Sequence, residues 1–329
     1  MKALYLVLAV ATMTLGAAMS GSNHEGPSAE RTEREAPEWE LSHDWINSEP
    51  LRLEHLRGKV VLIDFWTYSC INCLRTVPYL NLWHDRYKDR GLTIIGIHTP
   101  EFEFEAVRAN VERAVERLGI RYPVAQDNDY ATWKQYENVA WPAFYLIDRH
   151  GKIVFMRYGE GEYDRIENTI RQLLAIEDLV PRDDGADLSG VRTPEIYLGT
   201  AYEDHLARDD DPMWKGIASP REAIYRLPSV LRVDQFALGG RWFRYGDRAC
   251  LRSDSGTIAV RFVAAKAFLV AGSKETSELV VRVDGGAPRK ISVTQPQLYT
   301  LYETSMSSEH RIEIEVSGAG LNAYTFTFG

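Results

Sequence analysis

Residues 59–78, KVVLIDFWTYSCINCLRTVP, decide how the chain is read. Val60 to Phe65 is a short apolar run rich in β-branched residues, suited to a strand buried on both faces. A single carboxylate, Asp64, interrupts it. Cys70 and Cys73 follow at once, and Leu74, Val77, Trp83 and Tyr87 then fall near helical spacing, with Gly91 as a stop. The order is strand, turn, then a helix opened by two cysteines. At a helix start, unpaired backbone N–H groups and the helix dipole stabilise a thiolate on Cys70. Cys73, one turn on, faces it and can resolve a mixed disulfide by intramolecular attack. The same spacing is also half of a zinc site. Zinc would want a second ligand pair, and the remaining cysteine, Cys250, lies in the other half of the chain.

Working outward, Leu92 to Ile97 reads as a second buried strand. Val107, Val111, Ala114 and Leu118 mark one helix face, capped by Gly119. Tyr122 to Ala125, Ala143 to Ile147 and Ile153 to Arg157 read as strands, the last two joined by a turn at Asp148-Arg149-His150-Gly151. Ile166, Ile170, Leu173 and Leu174 give a closing helix. Strands alternating with helices imply a largely parallel sheet finished by an antiparallel hairpin. Upstream, Trp45-Ile46 and Leu51 flank Asn47-Ser48-Glu49-Pro50, which reads as a short hairpin. The acidic, Pro- and Gly-containing stretch 181–190 marks a domain boundary and predicts two halves that fold separately. Beyond it, residues 191–238 are irregular. Short β-rich runs then recur between Gly and Ser turns: Arg241–Tyr245, Thr257–Phe262, Glu278–Val283, Lys290–Val293, Gln297–Leu301, Arg311–Val316 and Tyr324–Phe328. That pattern predicts an all-β sandwich of jelly-roll type.

Length and composition agree with two soluble domains. The chain has 329 residues, 45% hydrophobic and 26% charged, which is enough apolar material for two cores. A net charge of −9 is a poor match to a phosphate backbone, so nucleic acid is not an expected partner. Three cysteines cannot form a disulfide framework, but they can form one working pair with one left over. Lys2, the apolar run from Ala3 and the small residues Gly16-Ala17-Ala18 read as an export signal over residues 1–20, cleaved or kept as a tether. Residues 21–40, rich in Pro, Ser, Glu and Arg, read as a linker, leaving 41–180 and 191–329 as the two domains.

The string FWTYSCINCLRTVPYLNLW, followed by HTPEFEFE and WPAFYLID, resembles the thioredoxin-like family. The inserted strand and helix and the exported context resemble its TlpA and ResA branch. The whole of residues 37–329 resembles the extracytoplasmic portion of DipZ-type proteins, a thioredoxin-like domain followed by a β-sandwich likened to carbohydrate-binding modules. The resemblance implies an extracytoplasmic thiol–disulfide oxidoreductase, with protein disulfides as substrates and a CcdA/DsbD-type membrane protein as electron donor. It needs no cofactor beyond the redox-active Cys70–Cys73 disulfide. By the same resemblance Cys70 is the attacking thiol and Cys73 the resolving one. Asp64 is the buried proton acceptor, Pro142 a cis-proline facing the pair, and Trp66 the aromatic residue before it. The TlpA and ResA types carry a Glu three residues after the second cysteine. Here that residue is Thr76, so Asp64 must serve, or Glu101 or Glu103 must reach in.

Two other functions fit parts of the sequence. One is a binding module whose sandwich holds a glycan or a protein, with Trp214, Trp242, Tyr245, Tyr299, Tyr302 and Tyr324 as candidate stacking residues and the redox domain as accessory. The other is a thiol peroxidase. Thr67 stands three residues before Cys70 as in peroxiredoxins, but the proline expected four residues further back is Ile63. Cys250 reads as an inert buried thiol, His98 as a structural histidine, and Asp209-Asp210-Asp211 as a solvated loop rather than a calcium site.

Overall fold

The structure, a computed structural model, describes residues 34–39, 41, 45–177, 190–201, 204–207 and 221–329. The export signal, Asp209 to Asp211 and Trp214 lie outside them.

The first domain is a seven-stranded mixed sheet. Its strands are β1 (Arg34–Glu35), β2 (Trp45–Ile46), β3 (Val60–Trp66), β4 (Leu92–His98), β5 (Val124–Gln126), β6 (Ala143–Ile147) and β7 (Lys152–Tyr158). They lie in the order β1-β7-β6-β3-β4-β5-β2. β3, β4 and β5 are parallel, while β6 and β7 return antiparallel. β3 sits at the centre and is buried along its whole length. Its alternate residues serve different faces. Val60, Leu62 and Trp66 pack under α1 (Ile71–Tyr87), α2 (Arg108–Arg117) and α4 (Tyr163–Leu174). Val61, Ile63 and Phe65 face the other side. Gly91, at φ 104°, turns the chain out of the α1 region into β4 by a left-handed conformation that favours glycine.

The N-terminal end of the domain departs from expectation. The assigned linker, residues 21–40, ends early: Arg34 and Glu35 pair with Ile153 and Lys152 as an edge strand. Ala36, Trp39 and Leu41 are buried in the core of the second face. Trp39 also donates its indole N–H to Leu51 O at 2.7 Å. The expected hairpin at 44–51 does not form. Trp45-Ile46 instead joins Ala125 and Val124 of β5, a partner no local turn signal could reveal. A short helix, α3 (Ala131–Gln135), and a 3₁₀ turn at Glu103–Ala106 are further elements that residue spacing did not suggest.

The second domain is all-β. Its strands are β8 (Ile196–Tyr197), β9 (Arg221–Tyr225), β10 (Gln235–Arg244), β11 (Ala249–Leu251), β12 (Ser255–Gly272), β13 (Ser277–Val283), β14 (Arg289–Val293), β15 (Gln297–Ser317) and β16 (Asn322–Phe328). They form one sheet that folds back on itself like a barrel. The long strand β12 makes this possible: its first half pairs with β10 and its second half with β16, while β15 follows it along both halves. Register shifts at Ala264/Lys266 and Ala267/Phe268 bend it between the two layers. The runs read as separate strands at 297–301 and 311–316 are therefore parts of one strand. Arg244 is buried in this core, where its guanidinium donates to Leu198 O and Gly199 O at 2.9 and 2.7 Å.

The two domains are in contact with each other. Tyr324 of β16 packs on Phe102 and Phe104 with ring centroids at 4.9 and 4.8 Å, and together with Val270 it belongs to the core of the first domain. Tyr197 donates its hydroxyl to Glu101 Oε1 at 2.5 Å. Arg117 bonds Gln297. Gly329 lies against Arg75, since a Cβ there would stand 2.6 Å from its Nη1.

Candidate active site

The site forms where β3 ends and α1 begins. Cys70 is the N-cap of α1, with extended backbone, and its Sγ accepts the Cys73 N–H at 3.4 Å. Cys70 keeps 8% of its surface exposed and Cys73 keeps none, so only Cys70 can meet a substrate. Burial, the contact with Cys70 and the nearby Asp64 carboxyl push the Cys73 thiol well up. A proton held that firmly needs an acceptor before Cys73 can act as a nucleophile.

Asp64 is fully buried on the α1 face of β3, and neither of its oxygens accepts a hydrogen bond from the protein. Desolvation alone pushes its carboxyl well above the usual range. Trp66, two residues on, is also buried and stands edge-on to His98 at 5.1 Å. Trp141–Pro142 is a cis peptide, and Pro142 precedes Ala143, which pairs with Phe65 beside the end of β3. His98 ends β4 inside the core, between Trp66 and the stacked ring of Tyr68. Burial lowers it to about 3, so it is neutral and structural.

The structure does not bring Glu101 or Glu103 to Cys73. Glu101 turns to Tyr197 across the domain interface. Glu103 is exposed, with Arg248 of the second domain 3.9 Å away. Phe102 and Phe104, the alternate residues of the same loop, take the inward positions. The buried acid that sequence reasoning missed is Glu105. It accepts from Ser69 Oγ at 2.5 Å and from the backbone N–H groups of Glu101 and Phe102 at 2.6 and 2.9 Å. It thereby ties the residue preceding Cys70 to the loop that meets the second domain. The third acid of the EFEFE run, it carried no signal that told it from the other two. Arg75 was also missed. It pairs with Glu160 at 2.6 Å and donates to Asn72 Oδ1, between the cysteines, at 2.6 Å.

Of the stacking candidates in the second domain, Tyr245 and Tyr302 are half-buried, and the other described ones are taken up by the fold. Trp242 is core, Tyr299 is buried with its hydroxyl on Gln295 O, and Tyr324 belongs to the interface. Cys250 is buried, and that burial raises its thiol.

Residues 32–156 match the model of the AhpC/TSA family, and residues 193–329 that of a thioredoxin-like C-terminal domain. Over 313 residues the chain is 36% identical to the protein DipZ of Mycobacterium tuberculosis, covering 89% of this chain and 43% of that protein. The chain thus spans less than half the length of that relative. It is 28% identical to the thiol-disulfide oxidoreductase YkuV of Bacillus subtilis, over 42% of this chain and 93% of the relative. Among solved structures, a putative thiol:disulfide interchange protein DsbE from Chlorobium tepidum aligns over 44% of this chain and 98% of its own. The identity is 23% and the TM-score 0.39. No helix among the described residues is long and apolar enough to cross a membrane.

Proposed function

We propose that this chain, which belongs to the AhpC/TSA family over residues 32–156 and to the thioredoxin-like C-terminal domain family over residues 193–329, is a thiol–disulfide oxidoreductase that works outside the cytoplasm. The observation that carries the reading is the layering of the dithiol: a partly exposed Cys70 at the start of α1, a sealed Cys73 behind it, and an unpaired buried Asp64 behind both. Cys70 thiolate attacks a substrate disulfide and forms a mixed disulfide. Cys73 gives its proton to Asp64 and attacks Cys70 Sγ. The Cys70–Cys73 bond forms and the substrate leaves as a thiolate. A CcdA-type membrane dithiol returns the electrons, and protein disulfides are the substrates. The export signal read from residues 1–20 supports the location, and the sequence resemblance of residues 37–329 to DipZ-type proteins suggests the membrane donor.

The test is a trap. Cys73→Ser leaves the attacking thiol and removes the resolving one, so mixed disulfides with substrate proteins should accumulate on Cys70, whereas Cys70→Ser should hold none. Iodoacetamide at neutral pH should label Cys70 before Cys73 or Cys250. Equal trapping by the two variants would overturn the roles, and failure of the wild-type protein to reduce insulin disulfides would overturn the activity.

A further inference from the structure

Beneath the dithiol lie more polar atoms than the proposed reaction uses. Asp64 Oδ1 and Oδ2, Trp66 Nε1 and Tyr122 Oη are all buried and without a hydrogen-bond partner in the protein. The residues that carry them are between 0 and 1% exposed. Buried polar groups are seldom left so, because each costs the desolvation of an unsatisfied donor or acceptor. Several together are a site rather than a set of accidents.

The sheet register gathers them. Asp64 on β3 and Gly96 on β4 are in-register parallel neighbours, about 4.8 Å apart. Both lie on the α1 face, as the alternation of Leu62, Trp66, Leu92 and Ile94 requires. Gly96 has no side chain to fill that face. A Cβ there would stand 2.9 Å from Trp66 Nε1 and 3.2 Å from Tyr122 Cε2, so the glycine lets the indole N–H and the phenol ring close in beside Asp64. The two donors and the lone acceptor are complementary: a carboxylate wants N–H and O–H groups, and these have nothing else to bond.

We propose that Tyr122 and Trp66 are positioning residues for the proton acceptor: through a shared bound water, the hydroxyl and the indole N–H donate to the Asp64 carboxylate and set the pH at which it can take the Cys73 proton. This rests on the reading of Asp64 as that acceptor. The other titratable groups facing it are Cys73 and, beyond it, Cys70, both from α1. β4 contributes His98, whose ring stands edge-on to Trp66 at 5.1 Å and which burial keeps neutral. His84 of α1 lies next to Tyr122, with ring centroids 6.1 Å apart. Tyr122 in turn feels the charges of Asp64 and Cys73. In the resolving step the Cys73 S–H proton passes to Asp64. The Cys73 thiolate forms the bond to Cys70 Sγ, and the electron pair of the broken Cys70–substrate bond leaves on the substrate sulfur. Asp64 must be ionised at the outset, so its ionisation sets the acid limb of the rate.

The experiment measures single-turnover resolution of the Cys70 mixed disulfide against pH in the full chain. Tyr122→Phe removes only the hydroxyl. Loss of one donor to a carboxylate should move the acid limb up by about one pH unit, a tenfold slower step at a pH below both midpoints. Trp66→Phe should move it in the same direction. The titration of the Asp64 carboxyl, followed by ¹³C NMR, should shift with it, and the unfolding midpoint should fall. A hydroxyl with no partner at all would give no shift, and its removal would leave stability unchanged or higher; that result overturns the inference. Asp64→Asn separates the two claims. If it abolishes the acid limb while Tyr122→Phe leaves the limb in place, the acceptor reading survives and the positioning role falls. If the limb persists in Asp64→Asn, both fall.

Discussion

A carboxylate inside an apolar strand destabilises a fold at every pH at which it must be ionised there. Asp64 is the case at hand: it is sealed, it accepts no hydrogen bond from the protein, and its carboxyl is held well above the usual range by desolvation. The native state therefore keeps its proton to a higher pH than the unfolded chain does. Between the unfolded value, about 3.9, and the raised folded value, native protein binds more protons, and stability falls as pH rises. Asp64→Asn removes that slope. The variant should unfold at a higher urea concentration than wild type at pH 8. The advantage should shrink towards pH 4, while turnover is slowed throughout. A variant less stable than wild type at pH 8 would mean that the bonds proposed to the Asp64 carboxylate outweigh the cost of its burial. At this scale Cys70, Cys73 and Asp64 were legible because each breaks its local pattern: two thiols at a helix start, one acid in a strand. Glu105 and Tyr122 were not, because a glutamate in an acidic run and a tyrosine opening an expected strand break nothing. Their burial comes from contacts across the fold.

Elements follow periodicity where their partners are close in sequence or where both faces are buried. β3, β4 and β6 were legible for the second reason, and α1, α2 and α4 for the apolar face each presents. The N-terminal segment was not. Ala36, Trp39 and Leu41 are spaced among charged residues and gain their burial from a sheet face built by later strands, from Val61 and Ile63 of β3 to Ile153 of β7. Separation in sequence likewise hid the pairing of Trp45-Ile46 with Ala125 and Val124 of β5, and a polar stretch between Tyr302 and His310 disguised β15 as two strands. Trp39 tests whether this segment belongs to the domain. It is 4% exposed, and truncation of so large a buried side chain costs about 3–5 kcal/mol. Trp39→Ala should lower the urea midpoint of the first domain accordingly, whereas a true linker residue would change it by no more than about 0.5 kcal/mol. Gly96 tests β4 in the opposite sense. A methyl group there meets the Trp66 indole at 2.9 Å, and overpacking of this kind costs about 1–3 kcal/mol. Gly96→Ala should be destabilising, although alanine is the better strand residue in isolation.

At the scale of the molecule, the second domain is docked on the loop that follows β4, and that loop is bonded through Glu105 to Ser69, the neighbour of Cys70. The contact has a polar clasp, Tyr197 to Glu101, inside an apolar one of Tyr324 on Phe102 and Phe104. Burial in the interface, with the carboxyls of Glu195 and Glu105 nearby, pushes Glu101 up to about 8; the Tyr197 hydrogen bond pulls the other way without offsetting them. In the unfolded chain Glu101 titrates at about 4.3. The folded form thus holds one more proton between those values, so the clasp is at full strength at pH 4 and weakens as pH rises through 8. Asp64 adds a slope of the same sign, which makes a difference between variants the right measurement. Glu101→Gln keeps a neutral acceptor for Tyr197 and cannot ionise. Its urea midpoint should match wild type near pH 4.5 and exceed it increasingly up to pH 9. Parallel curves would show that Glu101 is ionised in the docked state and that the clasp is an ordinary charged hydrogen bond. The variant should also protect the 99–106 loop from proteolysis at pH 9, where wild type loosens. Because Glu105 joins that loop to the residue before Cys70, alkylation of Cys70 should then depend on pH less steeply in Glu101→Gln than in wild type.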